Sequence, residues 1–221
     1  MLRRDSDQRG FTLIELLVSS MITIIVLGSA VALSSQIQGG YRRQMEEAVA
    51  EQEARYALDW IGRYIRAADN DPHAAPTSDC PAPGTTFDGL RFDPDLEPIQ
   101  NEIRLQTDAN PPDGQIGGPD GACDQSGEDV TISLDADNNT IVFLDNNDAA
   151  LGGTRTDNVI EDLRFIYYDG EHEELDPLVD PAGSVRYVET RITFRTRTID
   201  PATQLPVTRT LSSEVRVRSR P

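Results

Sequence analysis

The sequence is poor in the residue types from which most catalytic sites are built. It has two histidines, His73 and His172, both in polar stretches, and no lysine, since all 20 basic residues are arginine. The GxSxG, HExxH and phosphate-loop patterns are absent. Aspartate and glutamate are plentiful, but their abundance does not by itself make a pair of catalytic carboxylates. These absences predict a protein that is not an enzyme.

Cysteine is equally scarce. Cys80 and Cys123 stand in polar, loop-like stretches without the CxxC spacing of a metal or redox site. If this part of the chain lies outside the cytoplasm, we expect the two residues to form a disulfide. Closing a loop of about 43 residues is worth on the order of 4 kcal/mol in the chain-entropy model. In a cytosolic protein the same residues would be free thiols.

The charge of the chain is strongly one-sided. There are 38 acidic residues against 20 basic ones, which gives a formal net charge of -18. Such a surface repels phosphate backbones at long range, so we do not expect nucleic acid as the main partner. The length of 221 residues with 38% apolar residues allows one core of ordinary size.

One long apolar run lies near the amino terminus. Residues 11–33 contain a single charged side chain, Glu15. As a helix this run spans roughly 35 Å, enough to cross a hydrocarbon core of about 30 Å. A hydrophilic segment of ten residues precedes it and ends in Gly10. We therefore predict a membrane-spanning helix with a short leader.

The junction between leader and helix has a distinctive sequence. The nine residues from Gly10 to Val18, GFTLIELLV, resemble the prepilin motif of type IV pilins and pseudopilins. The resemblance implies that prepilin peptidase cuts between Gly10 and Phe11 and methylates Phe11. It also implies that the carboxylate of Glu15 meets the terminal ammonium group of a neighbouring subunit during assembly. Two opposite charges attract strongly in a medium of low dielectric constant, where neither is tolerated alone.

Two alternatives stay open for this region. An ordinary secretory signal would use residues 11–28 as its apolar core and be cut after Ala32. It would release a soluble protein that binds a ligand through its sheet and acidic loops. Two acidic residues in the leader and Glu15 in the apolar core count against that alternative. Glu15 could also be a boundary residue whose side chain reaches the lipid headgroups.

The apolar run continues into an amphipathic helix. Apolar residues recur at spacings of three and four as far as Ala68, which predicts a stripe packed on the following domain. Its members are Tyr41, Met45, Val49, Tyr56, Trp60, Ile61, Tyr64, Ile65 and Ala68. We therefore divide the chain into a leader (1–10), a transmembrane or filament-core half-helix (11–35), an amphipathic half-helix (36–70) and a β-rich extracytoplasmic domain (71–221).

Beyond the helix the periodicity becomes that of strands. Seven runs are predicted: 90–92, 102–107, 130–134, 140–144, 159–168, 185–198 and 207–218. The last two should form a long antiparallel hairpin with one charged face. Together these elements predict an α+β fold in which a long helix packs on an antiparallel sheet. The run 52–59, the strand 160–168 and the closing strands 185–198 and 211–218 resemble those of PilW-type minor pilins and, less closely, of the J-type minor pseudopilin of type II secretion.

One acidic stretch begins like a calcium loop. Asp135, Asp137 and Asn139 place oxygen ligands at alternate positions, and calcium prefers oxygen. The pattern then departs, because Thr140 replaces the turn glycine and Asn146 replaces the final glutamate. A polar hairpin turn would use the same residues. A second acidic loop, 145–148, could add ligands if it folds close by.

These features predict a subunit whose activity is assembly. The resemblance implies an origin in the inner membrane, then a place in a periplasmic or cell-surface filament, with prepilin peptidase and other major and minor pilins as partners. It further implies a role in priming assembly or at the tip. A third possibility is an adhesive tip module for which the filament anchor is only a means of delivery.

Overall fold

The computed structural model describes residues 11–70, 77–78, 85–86, 89–92, 100–108, 125–200 and 203–217. One helix, α1, spans Leu13–Ala67. Among the described residues ten strands follow, together with two short 3-10 helices, Ala149–Leu151 and Ala182–Ser184. The strands are β1 (Thr77–Ser78), β2 (Thr85–Thr86), β3 (Leu90–Arg91), β4 (Glu102–Gln106), β5 (Asp129–Asp135), β6 (Thr140–Asp145), β7 (Gly153–Thr154), β8 (Ile160–Tyr168), β9 (Tyr187–Ile199) and β10 (Pro206–Arg216).

All strand pairings in the described part of the chain are antiparallel. A five-stranded sheet has the order β3-β4-β5-β6-β7, a three-stranded sheet has the order β10-β9-β8, and β1 pairs with β2. The predicted α+β class is confirmed. The strands are divided between separate sheets, whereas the sequence pattern had suggested one. Alternation along a strand indicates which face is buried but not which strand is its neighbour.

The chain divides into two compact units, and the boundary between them in the sequence lies between Met45 and Glu46. The first is helical from Leu13 onward, and the helix includes Gly39 and Gly40 without a break. The second contains the rest of α1 and the sheets.

The buried face of α1 in the second unit is made largely of small residues. Its apolar members are Ala50, Ala54, Ala57, Leu58, Ile61, Ile65 and Ala68. Alanine lets the helix backbone approach the sheets closely. At Gly62 an added Cβ would lie 3.2 Å from Cγ2 of Val215 in β10. On β9 the buried residues alternate, with Val188, Ile192 and Phe194 in the core. The core therefore lies between α1 and the inner faces of the strands.

The predicted apolar stripe of α1 is only partly a packing face. Ile61, Ile65 and Ala68 are fully buried, and Trp60 and Tyr64 pack at the edge of the core. Within the second unit the prediction was wrong for Val49 and Tyr56, which are 55% and 59% exposed. Aromatic and large aliphatic side chains dominated the sequence pattern, whereas alanines at neighbouring positions provide much of the contact face.

The carboxyl end of α1 is tied to β4. The amides of Ala68 and Asn70 bond back to the helix carbonyls of Tyr64 at 2.9 Å and Ala67 at 3.2 Å, and Asp69 between them takes a left-handed conformation with φ of 62°. The Asp69 amide donates to the carbonyl oxygen of Gln106 at 2.9 Å. Asn70 binds Asp108 twice, once as backbone acceptor and once through its side-chain amide. The helix thus ends close to the predicted bound at residue 70, and the residues directly after it are bonded to β4 and to Asp108.

Candidate functional site at the start of the N-terminal helix

Thr12 caps the first turn of α1. Its hydroxyl oxygen accepts a hydrogen bond from the amide of Glu15 at 3.3 Å, and its carbonyl oxygen accepts one from Leu16 at 3.2 Å. A threonine followed three residues later by glutamate is the sequence signature of a capping box. This signal was present in the sequence and the prediction did not use it. Thr12 therefore fixes where the helix begins, directly after Phe11.

Glu15 lies in the first helical turn, surrounded by exposed apolar side chains. From Phe11 to Leu33 the large apolar residues are 52–80% exposed. Within the described residues no hydrogen bond or ion pair is made by the Glu15 carboxylate. A carboxylate near a helix amino terminus is favoured by the helix dipole by about 0.3–1 kcal/mol. That is less than the few kcal/mol that a charge in a hydrocarbon medium costs.

The other polar side chains of the apolar segment are satisfied by their own helix. Ser19 donates to the carbonyl of Glu15 at 2.7 Å, and Thr23 donates to the carbonyl of Ser19 at 2.7 Å. Ser20 and Ser29 donate in the same way to the carbonyls three residues before them. These hydroxyls need no outside partner in a lipid or protein environment. Glu15 is thus the polar side chain of this segment for which the described residues provide no partner.

The helix meets the length and composition needed to cross a membrane. Its most apolar 18-residue window has a mean hydropathy of 2.4 and is 0% buried. None of this surface is buried against the described residues of the chain. The helix differs in this from the core helix of a soluble protein, which is mostly buried.

Three of the predicted processing and disulfide residues lie outside the described residues. They are Gly10, Cys80 and Cys123. The proposed cleavage between Gly10 and Phe11 and the proposed Cys80–Cys123 disulfide therefore stay predictions.

The acidic stretch at 135–139 forms the turn between β5 and β6. Asp135 pairs with Thr140 across the hairpin, and its carboxylate accepts hydrogen bonds from the amides of Asp137 and Asn138, each at 3.1 Å. Asn139 takes a left-handed conformation with φ of 55°, as turn residues of this type do. In the described ranges, no group of three or more His, Cys, Asp or Glu side chains is placed to hold a metal ion. The hairpin turn, which was the alternative interpretation, describes this geometry, and calcium binding by Asp135, Asp137 and Asn139 stays a prediction.

The second acidic loop does not fold close to the first. Asp145 ends β6 opposite Val130, whereas Asp135 pairs with Thr140 at the other end of the ladder. Five residue steps along a strand separate these ends by about 17 Å. The buried carboxylate of Asp145 accepts from the amides of Gly127 at 2.7 Å and Asn147 at 3.0 Å. This loop therefore cannot supply ligands to the turn at 135–139.

A buried polar network in the five-stranded sheet was not predicted. Asp129 is 1% exposed and accepts two hydrogen bonds from Arg104, at 2.7 and 2.5 Å, and one from Gln106 at 2.8 Å. Asn146 adds a fourth at 2.7 Å. Burial alone would raise the pKa of the Asp129 carboxyl, but these hydrogen bonds and the Arg104 charge outweigh it and hold the pKa below its usual value. The network links β4 to β5, and no sequence signal reveals it because the partners are far apart in the chain.

The comparisons with known proteins bear on the amino terminus. Residues 5–31 match the model of the prokaryotic N-terminal methylation motif. The chain carries a type IV pilin-like prepilin signal. The signal includes Phe11, Thr12 and Glu15, the residues that form the first turn of α1. It supports a pilin- or pseudopilin-like protein that is a substrate of prepilin peptidase and associates with other pilins. No curated protein and no solved structure matches the chain.

Proposed function

We propose that this protein is a minor pilin-like structural subunit. In this proposal prepilin peptidase cuts the chain between Gly10 and Phe11 and methylates Phe11. The subunit then takes part in priming, or in forming the tip of, a type IV pilus or a type II secretion pseudopilus. Its role is assembly rather than catalysis.

The observation that carries the proposal is the isolated carboxylate of Glu15 within a prepilin signal. Cleavage after Gly10 would create a positively charged terminal amine on Phe11, four residues before Glu15. The same terminus on a neighbouring subunit is a cation of the right kind to pair with Glu15. In an environment of low dielectric constant such a pair is strongly attractive, and a misplaced subunit would leave both charges buried and unpaired.

Thr12 supports the same role through geometry. Because its hydroxyl holds the Glu15 amide, the helix begins immediately after the new terminus. The terminal amine and the carboxylate then stand on one ordered turn, and neither depends on a flexible tail. Ordered partners lose less conformational entropy when they pair.

The surface of the sheets in the second unit supports the proposal that this unit lies in water outside the membrane. Charged residues occupy the outer positions of β9, where Glu189 and Arg191 are paired at 3.1 Å. This unit has its own core, built from α1 and the strands. We assign it to the extracytoplasmic side, where it forms the surface of the filament.

The test compares processing and assembly in the native host. The wild-type chain and Gly10→Val are each followed by size in the membrane fraction and in sheared filaments. The wild type should appear in both fractions at the shorter length, and Gly10→Val should stay at full length in the membrane. Gly183→Ala is the matched control, because it lies outside α1 and a Cβ there meets nothing within 4 Å among the described residues, and it should behave as the wild type. Soluble protein in the medium that has been cut after Ala32, from the wild type or from Gly10→Val, would contradict the proposal. It would favour a secreted binding protein.

A further inference from the structure

Basic residues are concentrated near the carboxyl end of an acidic chain. Residues 185–221 hold eight arginines and three acidic residues, whereas residues 1–184 hold twelve arginines and 35 acidic residues. The formal net charges of the two parts are therefore +5 and -23. Opposite charge on different parts of a chain favours contacts between copies in a fixed orientation.

A groove lies at the far end of the hairpin on the outer face of β9. A cavity of about 320 Å³ is lined by Asn158, Arg195, Thr196, Arg197, Ile199 and Pro206. In the described residues Arg195 has no ion pair, and Arg197 pairs with Asp157 at 3.3 Å, where both side chains are more than 60% exposed. A surface pair of this kind contributes about 0–1 kcal/mol, so neither guanidinium group is held strongly by the described residues.

The groove also presents apolar surface. Ile199 is 54% exposed and Leu205, close to it in the chain beyond the turn, is 64% exposed. The ladder is irregular at this point, since Arg195 pairs with Thr208 and Ile199 with Pro206. Three residues of β9 thus face one of β10, a bulge that redirects side chains. Arginine beside exposed aliphatic residues is typical of a surface that binds protein.

A complementary surface stands at the opposite end of β9. The loop at 169–180 exposes Glu171, Glu173 and Glu174 together with two aliphatic residues, Leu178 at 61% and Val179 at 78%. It is therefore acidic and apolar, as the groove is basic and apolar. Arg195 and Arg197 lie eight and ten residue steps along β9 from Tyr187, the end of the strand nearest the loop. These steps correspond to about 26–33 Å, too far for the loop to reach the groove within one molecule.

The loop is held in a defined conformation. The carboxylate of Asp169 accepts from the amides of Glu171 at 2.8 Å and Glu173 at 2.9 Å. Asp176 does the same for Leu178 at 2.9 Å, and its own amide donates to Asp180 at 2.8 Å. The ring of His172 packs on Tyr187 with centroids 4.2 Å apart. Little entropy is lost when an ordered loop of this kind docks.

We propose that the groove at Arg195 and Arg197 binds the 169–180 loop of a second copy of this chain. The contact is heterologous, because it joins different surfaces on the two copies, and such contacts propagate into open filaments when they do not close into a ring. The glutamates of the loop face the two arginines, while Leu178 and Val179 cover Ile199 and Leu205. This contact goes beyond the proposed function, which requires only α1, and it does not depend on cleavage after Gly10.

The test uses charge exchange in the full chain in detergent micelles, with tagged copies on a sensor surface and untagged copies in solution. The groove variant is R195E/R197E and the loop variant is E171R/E173R. The affinity of each variant for itself should be lower than that of wild type for itself by about ten-fold or more. The groove variant should bind the loop variant as well as wild type binds wild type, because both contacts then join opposite charges again.

The matched control is R63E/R164E, which changes the net charge by the same amount as R195E/R197E at exposed positions outside the groove. It should retain wild-type binding within two- to three-fold, the usual scatter for exposed charges. Melting followed by the fluorescence of Trp60 shows that each variant is folded. Absence of wild-type self-binding, equal loss in the control, or no restoration between the two folded variants would each overturn the proposal. So would loss of binding to anionic lipid vesicles in the groove variant with self-binding unchanged, which would assign the groove to a membrane surface.

Discussion

Gly89 lies in direct contact with the backbone of Asp69, where α1 gives way to the strands. A Cβ placed on Gly89 would be 2.3 Å from the Cα of Asp69, much closer than any stable contact. The Gly89 carbonyl also accepts the amide of Gln106 at 3.0 Å, and Gln106 in turn accepts the amide of Asp69. The end of the helix, β3 and β4 are therefore joined at a point that has no space for a side chain.

We predict that Gly89→Ala lowers the free energy of unfolding of the full chain in detergent by about 3 kcal/mol, since the backbone has to move to admit the methyl group. Gly183→Ala should change it by no more than about 0.5 kcal/mol, because a Cβ at Gly183 meets nothing within 4 Å. Denaturant titration followed by Trp60 fluorescence measures both. Equal stability of the two variants would show that the junction is not closely packed.

The ion pair between Arg104 and Asp129 makes a second prediction. Arg104→Gln removes the cation from a buried carboxylate and should lower the free energy of unfolding by about 2–3 kcal/mol at neutral pH. Arg164→Gln is the control, because Arg164 is exposed, its partner Asp162 is only partly buried, and the pair should be worth less than about 1 kcal/mol. A similar small loss in both variants would contradict the role given to Asp129.

The same pair gives a dependence on pH. The pKa of Asp129 lies below its usual value in the folded chain, so the carboxylate stabilises the fold in full above the unfolded pKa of about 3.9. That contribution is lost as the pH falls through the lower folded value. The difference in unfolding free energy between wild type and Arg104→Gln should therefore shrink between about pH 5 and pH 2. A constant difference over that range would indicate that Arg104 acts only through packing.

The local elements could be predicted from the sequence because they depend on local patterns. The seven predicted strands correspond to β3, β4, β5, β6, β8, β9 and β10, and the pairing of β9 with β10 follows from a short turn. The division into separate sheets could not be predicted, since it depends on which distant strands meet. The ion pair between Arg104 and Asp129 could not be predicted for the same reason, because the two residues are 25 residues apart in the sequence.

The helix start illustrates both outcomes at one site. Glu15 was found because a charge in an apolar run is conspicuous, and the prepilin signal confirms the motif that contains it. The capping role of Thr12 was not predicted, because it depends on the spacing of three residues between Thr12 and Glu15. On the second half of α1, alanines such as Ala54 and Ala57 form the packing face, and a search for large apolar residues does not find them.

Cys80 and Cys123 carry a prediction about redox state. If the second unit is extracytoplasmic, protein purified from the native host without reductant should show no thiol that reacts under denaturing conditions. Reduction should then lower the free energy of unfolding by on the order of 4 kcal/mol. The double variant Cys80→Ser/Cys123→Ser controls for effects of the reductant itself. Two reactive thiols in the unreduced protein would place the domain in a reducing compartment or leave the cysteines unpaired.

Glu15→Gln tests the charge of the helix start without changing its shape. The backbone N–H of residue 15 still donates to the Thr12 hydroxyl in this variant, so the helix start is unchanged and processing at Gly10 should continue. The neutral side chain can no longer form an ion pair with a terminal ammonium group. We expect normal amounts of the shortened chain in the membrane and at least about a ten-fold reduction in sheared filaments, as for a buried charge pair worth several kcal/mol. Glu51→Gln, on the surface of α1, should be incorporated normally. Normal incorporation of Glu15→Gln would remove the role given to this residue.

Mass spectrometry of the amino-terminal peptide tests the central claim most directly. The protein is taken from the membrane and sheared-filament fractions of the native host. The account predicts a peptide that begins at Phe11 and is heavier by one methyl group, as a methylated prepilin terminus requires. A peptide that begins at Leu33 would contradict it, because the chain would then be a secreted soluble protein and Glu15 would have been discarded with its signal.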